Sequence, residues 1–231
     1  MPNNHVMRRI LLIVFVMFSV VPLFASGGNA ALYLNEKAGN GTVYYVRIPV
    51  LASESKRREQ FVFRAAAQMA MRNKIYVRYI VEGDRVASVL TEYDQKDTLG
   101  VSADLHVLEV LHCGSYYEAL VEYRNKTQFR TVDVSVSRKP GKDGNPSWVA
   151  KPPKSSRYEV FVSTVTAPPD SAEGFFLSDE WAIGGLSTTV SKPVESGIFH
   201  KHEAVLSGAY IAARWYNAKT DTYYSLAVLP R

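Results

Sequence analysis

Residues 208–231 read as two β-strands closed by a short polar turn around Lys219, a hairpin that commits the chain to a sheet-bearing fold. Ala209, Ile211, Ala213 and Trp215 are expected to face inward from the first strand, and Tyr224, Leu226 and Val228 from the second. Tyr210, Arg214 and Tyr223 then share the outer face. A shorter version of the Tyr223-Tyr224 strand occurs at Tyr116-Tyr117, so the chain reads as one small α+β module used twice.

The first copy, residues 31–138, opens with a β-branched and aromatic strand at 43–50. Phe61, Ala65 and Met69 then recur every four residues, with Val62, Ala66 and Ala70 beside them. That spacing predicts a helix over 54–72, with Lys56, Arg57, Arg58, Arg64 and Arg72 on a basic, solvated side. Residues 75–81 fit either period and are expected to continue the helix. Residues 101–107, 115–123 and 128–137 alternate as strands of an antiparallel sheet covered on one side. Glu118 and Glu122 then lie on its wet face.

Turn formers at 138–146 mark a boundary, and residues 139–157 are expected to link the two copies. In the second copy, residues 158–231, a strand at 158–165 precedes a helix with Phe175, Ala182, Leu186 and Val190 on one side. Asp170 and Glu173 have capping-box spacing at its start. Gly184 and Gly185 either bring that helix close to a sheet or end it early. Strands at 203–216 and 222–229 complete the copy.

Residues 1–30 have the form of a secretory signal: Arg8 and Arg9, an apolar run from Ile10 to Ala25, then small residues that place cleavage near 27–30. The run of roughly 16 residues is short for a spanning helix, although a retained N-terminal anchor is the alternative. Cys113 is the only cysteine, so no lipid-accepting cysteine follows the signal and no internal disulfide can form. It is read as a small buried or half-buried thiol, with pairing between subunits as the alternative.

Removing Arg8 and Arg9 with the leader lowers the net charge from +5 to +3. The basic residues are scattered, which argues against nucleic acid as a partner. Catalytic signatures are equally thin. His112 and Cys113 are strand neighbours that point to opposite faces, and no phosphate loop, nucleophile elbow or zinc-protease motif occurs. His200 and His202 are weak metal candidates lacking further ligands. No catalytic residue and no cofactor is expected. Tyr210, Arg214 and Tyr223 are the candidate interaction face, either a docking patch for a protein or glycan or a cation–π cluster shielding the sheet.

Around Trp148, Pro152 and Pro153, the Tyr158 strand, and the hairpin bearing Arg214, Trp215 and Tyr224, residues 146–231 resemble the twenty-kilodalton outer-membrane lipoprotein family, the LPP-twenty type. Its relatives include the flagellar basal-disc lipoprotein and the amino-terminal domain of a flagellar-ring protein. The chain departs from that family in lacking the lipid-bearing cysteine. The resemblance implies a periplasmic, non-enzymatic envelope component, in some relatives tied to flagella, with Trp148, Pro152, Pro153, Trp215 and Tyr224 as structural residues. The expected function is therefore an exported assembly or interaction module. Its partners would be envelope or flagellar proteins, or a second copy paired through sheet edges. A periplasmic module that binds a small ligand or glycan between its copies is the alternative.

Overall fold

The computed structural model describes residues 42–50, 53–83, 85–125, 132–137, 139–167 and 172–231. The signal at 1–30, Asp170 of the capping box and the first part of the strand expected at 128–137 lie outside them.

Strand β1 (Val43–Pro49) ends on a proline that has no N–H to give a ladder. Helix α1 (Glu54–Asn73) follows, its first turn closed by Ser53, whose Oγ accepts from the Lys56 N–H at 3.3 Å. Phe61, Ala65, Ala66 and Met69 bury one face against β1, and the alanines let helix and sheet approach closely. The helix stops at Asn73, where the Gly208 N–H takes the Arg72 carbonyl at 2.7 Å.

Residues 75–81 are strand, not continued helix. β2 (Ile75–Glu82) turns through Gly83, at φ +57°, into β3 (Arg85–Glu92), which the sequence reading did not anticipate. The alternation wins because Ile75, Val77 and Tyr79 bury one face while the backbone pairs on both sides. The strand expected at 101–107 also begins later. Helix α2 (Gln95–Val101) and a 3₁₀ turn (Ser102–Asp104) precede β4 (Leu105–Cys113), which Gly114 joins to β5 (Tyr116–Tyr123). Residues 132–137 join no ladder; Val134 and Val136 pack on the side chains around Trp148 instead.

The second half contains a short helix α3 (Ser147–Ala150), β6 (Tyr158–Thr166), α4 (Gly174–Gly185), a one-turn helix α5 (Ser187–Val190), β7 (Val194–Ser196), β8 (Phe199–Leu206), β9 (Tyr210–Asn217) and β10 (Thr222–Pro230). The single strand expected at 203–216 is broken by Gly208, whose φ of +84° turns the chain between β8 and β9. The expected linker is held in place too. Trp215 Nε1–H donates to the Gly144 carbonyl at 3.0 Å, and Asn217 Nδ2–H to Asn145 Oδ1 at 2.8 Å.

The architecture is α+β, with every strand pair antiparallel. Two three-stranded sheets share one topology, β1-β5-β4 and β6-β10-β9, and each carries one long helix, α1 or α4. A third sheet, β3-β2-β8-β7, takes one hairpin from each half through the β2–β8 pairing. The division expected at 139–157 is therefore crossed by a continuous sheet.

Helix α4 packs against two sheets at once, and Gly184 and Gly185 set how closely. A Cβ on Gly184 would stand 2.6 Å from the Val89 side chain, and one on Gly185 would stand 2.2 Å from the Phe161 ring. Both readings of the pair hold, since the helix ends at Gly185 as well. The far face of β1-β5-β4 is also covered, by Phe175, Tyr216 and Tyr223. Glu118 accordingly lies at 0 % exposure rather than on a wet face.

Candidate binding cleft

A cavity of about 470 Å³ opens between the edge strands β1 and β9, with α1 on one side and α4 on the other. Arg64, Gln68 and Arg72 lie along α1 at four-residue steps, so three donors succeed one another at intervals of about 6 Å on one helix face. Gln68 Nε2–H donates to the Tyr45 carbonyl at 2.9 Å and so covers an outward-facing group of the β1 edge. Arg64 stands 4.4 Å over the Phe176 ring and 3.5 Å from Glu173 Oε1. Arg72 is 2 % exposed, with its guanidinium 4.8 Å over the Tyr210 ring. Burial lowers its pKa, and the Tyr44 and Tyr210 phenols oppose that shift. The basic side of α1 is thus solvated at Lys56 and Arg58 but not at Arg72.

On the opposite wall α4 presents Phe175, Phe176, Asp179, Glu180 and Ile183. Asp179 is gripped by Arg214, through Nε at 2.9 Å to both oxygens and Nη2 at 2.8 Å, and accepts from Ser225 Oγ at 2.6 Å. Glu180 accepts from Thr91 Oγ1 at 2.8 Å. Between the walls the Arg214 guanidinium lies 5.3 Å over the Tyr45 ring. The Tyr45 hydroxyl donates to Glu118 Oε1 at 2.5 Å, where Arg47 Nη2 also binds at 2.7 Å. Burial raises the Tyr45 pKa well above its ordinary value, and Arg47, beside Tyr45 and Glu118, stays firmly protonated.

The expected trio does not share an outer face. Tyr210 and Arg214 line the cleft, but Ala212 is an extra residue in the β9–β10 register and puts the two out of phase. Tyr223 is 0 % exposed beneath Phe175, with ring centroids 4.9 Å apart, and contributes to packing. The five residues carrying the family resemblance divide similarly. Trp148, Trp215 and Tyr224 meet in one cluster, and the half-buried Pro152 and Pro153 follow α3.

His200 and His202 lie on β8, where His202 Nδ1 is 3.3 Å from Ser191 Oγ. Among the described residues no group of three or more His, Cys, Asp or Glu side chains stands close enough to hold a metal ion. His112 stacks on Tyr117 at 4.5 Å, and the Cys113 thiol is pushed up to about 11 by burial and then by Glu118, the opposite of an activated nucleophile. No helix among the described residues is long and apolar enough to cross a membrane.

No family model, curated protein or solved structure matches this chain.

The cleft residues that the sequence reading missed are Gln68, Asp179 and Glu180. The four-residue row Arg64, Gln68 and Arg72 was a usable signal, since Gln68 breaks an otherwise apolar stretch of α1. Nothing local marked Asp179, whose role depends on a strand 35 residues further along the chain.

Proposed function

We propose that this chain is an exported, non-catalytic binding protein of the bacterial envelope, and that the cleft between β1 and β9 is its binding site. The observation that carries this reading is that both halves build the cleft while its polar side chains are already held by fixed partners: Arg214 by Asp179, Gln68 by Tyr45, Glu180 by Thr91. A site organised before its ligand arrives loses little entropy on binding, and junctions between structural units commonly hold small-molecule sites. The leader-like residues 1–30 support export, and the resemblance of 146–231 to LPP-twenty proteins supports an envelope setting, flagellar or otherwise. The shared topology of the two three-stranded sheets favours descent of the halves from one duplicated module.

A second reading, assembly through sheet edges, is favoured by β4, an edge strand with Leu108 and Val110 exposed. Affinity purification from cross-linked envelopes separates the two, comparing the wild type with Ala212→Trp, which fills the cleft. A co-purifying small molecule lost in the variant supports the cleft. Protein partners recovered at fixed stoichiometry from both forms, with no small molecule, overturn it in favour of assembly.

A further inference from the structure

We propose that the cleft recognises a neutral saccharide, a single sugar or a short glycan; this rests on the cleft being the binding site. Three of the four arginines along it are answered by carboxylates, Arg214 by Asp179, Arg47 by Glu118, and Arg64 by Glu173 at its rim, and the further charges, Arg72, Glu180 and Asp133, are of mixed sign. A ligand with net charge would gain little there, because each ion pair already neutralises the field that would attract it.

What the walls offer is a mixture. Arg64, Gln68 and Arg72 donate from α1, while Glu180 and Asp133 present carboxylates that accept. A hydroxyl both donates and accepts, so a polyol with hydroxyls on successive carbons can engage both walls together. A fatty-acid tail would offer no hydrogen bond to the second N–H of Gln68 or the second carboxylate oxygen of Glu180, at a cost of about 1–3 kcal/mol for each.

The aromatic content completes the match. Tyr93, Phe176 and Tyr210 are partly exposed rings along the same cavity, and the C–H face of a pyranose is apolar enough to lie against such a ring. The volume of about 470 Å³ falls within the usual range of small-molecule sites and accommodates a mono- or disaccharide.

The test is a ¹H–¹⁵N NMR titration of the leader-less protein with N-acetylglucosamine oligomers, maltose and lactose, alongside glucuronate and decanoate as charged probes. We expect at least one neutral sugar to shift amides of α1, α4 and β9 at millimolar concentration or below. Gln68→Ala and Glu180→Gln should each weaken that binding about tenfold, with circular dichroism unchanged, and Ala212→Trp should abolish it. Decanoate or glucuronate shifting the cleft while no neutral sugar does overturns the saccharide but leaves the binding cleft standing. If no probe shifts the cleft and Ala212→Trp leaves envelope capture unaltered, both readings fall.

Discussion

Arg214 reaches from β9 to grip both carboxylate oxygens of Asp179 on α4, at 2.8 to 2.9 Å, joining the helix to the edge strand of its sheet. The Arg214 side chain is 5 % exposed and that of Asp179 19 %. Removing the acid alone strands a guanidinium in a nearly dry site and leaves Ser225 without its acceptor. Asp179→Ala is therefore expected to cost about 3–5 kcal/mol in urea unfolding. A loss below 1 kcal/mol would show that water reaches the pair.

Gly185 supplies the close approach of α4 to β6. Gly185→Ala is expected to cost about 1–3 kcal/mol by overpacking against Phe161. Adding Phe161→Leu should return part of that loss. Gly100, in α2, has nothing within 4 Å of the point where an alanine methyl would stand and is the control. Gly100→Ala should be neutral or stabilise by up to about 1 kcal/mol. Equal effects at the two glycines would mean that backbone propensity, and not contact, decides.

Elements that bury one face against a neighbour in sequence were legible. The spacing of Phe61, Ala65 and Met69 located α1, and the alternation in 222–229 located β10. Elements defined by the other half of the chain were not. β2 shows both periods, and its pairing partner β8 lies more than a hundred residues away. Glu118 read as wet because the cover on its face comes from Phe175 and Tyr223 of the second half. Helix α4 was found from the row Phe175, Ala182 and Leu186, but its second apolar contact, Gly184 against Val89 of the first half, was not. The cleft suffered the same way. Tyr210 and Arg214 were picked out, but Arg64 and Arg72 on the wall facing them read as the solvated side of an ordinary helix.

The shared sheet predicts that the halves do not fold apart. Separation would expose Ile75, Val77 and Tyr79, which pack with Ile183 and Leu206. At about 1.5–3 kcal/mol for each side chain, the loss is comparable to the whole stability of a typical domain. Trp148, Trp181 and Trp215 all lie in the second half. Tryptophan fluorescence and hydrogen exchange of β1 and β5 should therefore report a single urea midpoint. Two separated midpoints would mean that each half folds alone.

Cys113 should be a slow thiol. Burial, followed by the Glu118 carboxylate, disfavours the thiolate and pushes its pKa from about 9 up to about 11. Iodoacetamide labelling of the folded protein should be slow at pH 8 and climb toward pH 11. The folded state holds the proton that the unfolded state releases first, so this group weakens folding as pH rises from about 9. Rapid labelling at pH 7 would contradict the burial.

Glu203 predicts the opposite direction of pH dependence. On the open face of β8 its Oε1 accepts from the Tyr76 hydroxyl at 2.8 Å and Arg78 Nε at 2.6 Å, and Lys201 lies 3.3 Å from Oε2. These contacts, Tyr76 first and Arg78 next, lower its pKa from 4.5 to about 2. A depressed carboxylate stabilises the fold fully above its unfolded pKa, and that contribution fades as pH falls from about 4.5 to 2. The pair is exposed, so the gain is small and screened by salt. Carboxyl-carbon NMR should place the Glu203 midpoint near 2, and Arg78→Gln should move it upward. A midpoint near 4.5 in the wild type would mean that the Glu203 contacts do not persist in water, and that β2 and β8 are held by their backbone ladder and buried face alone.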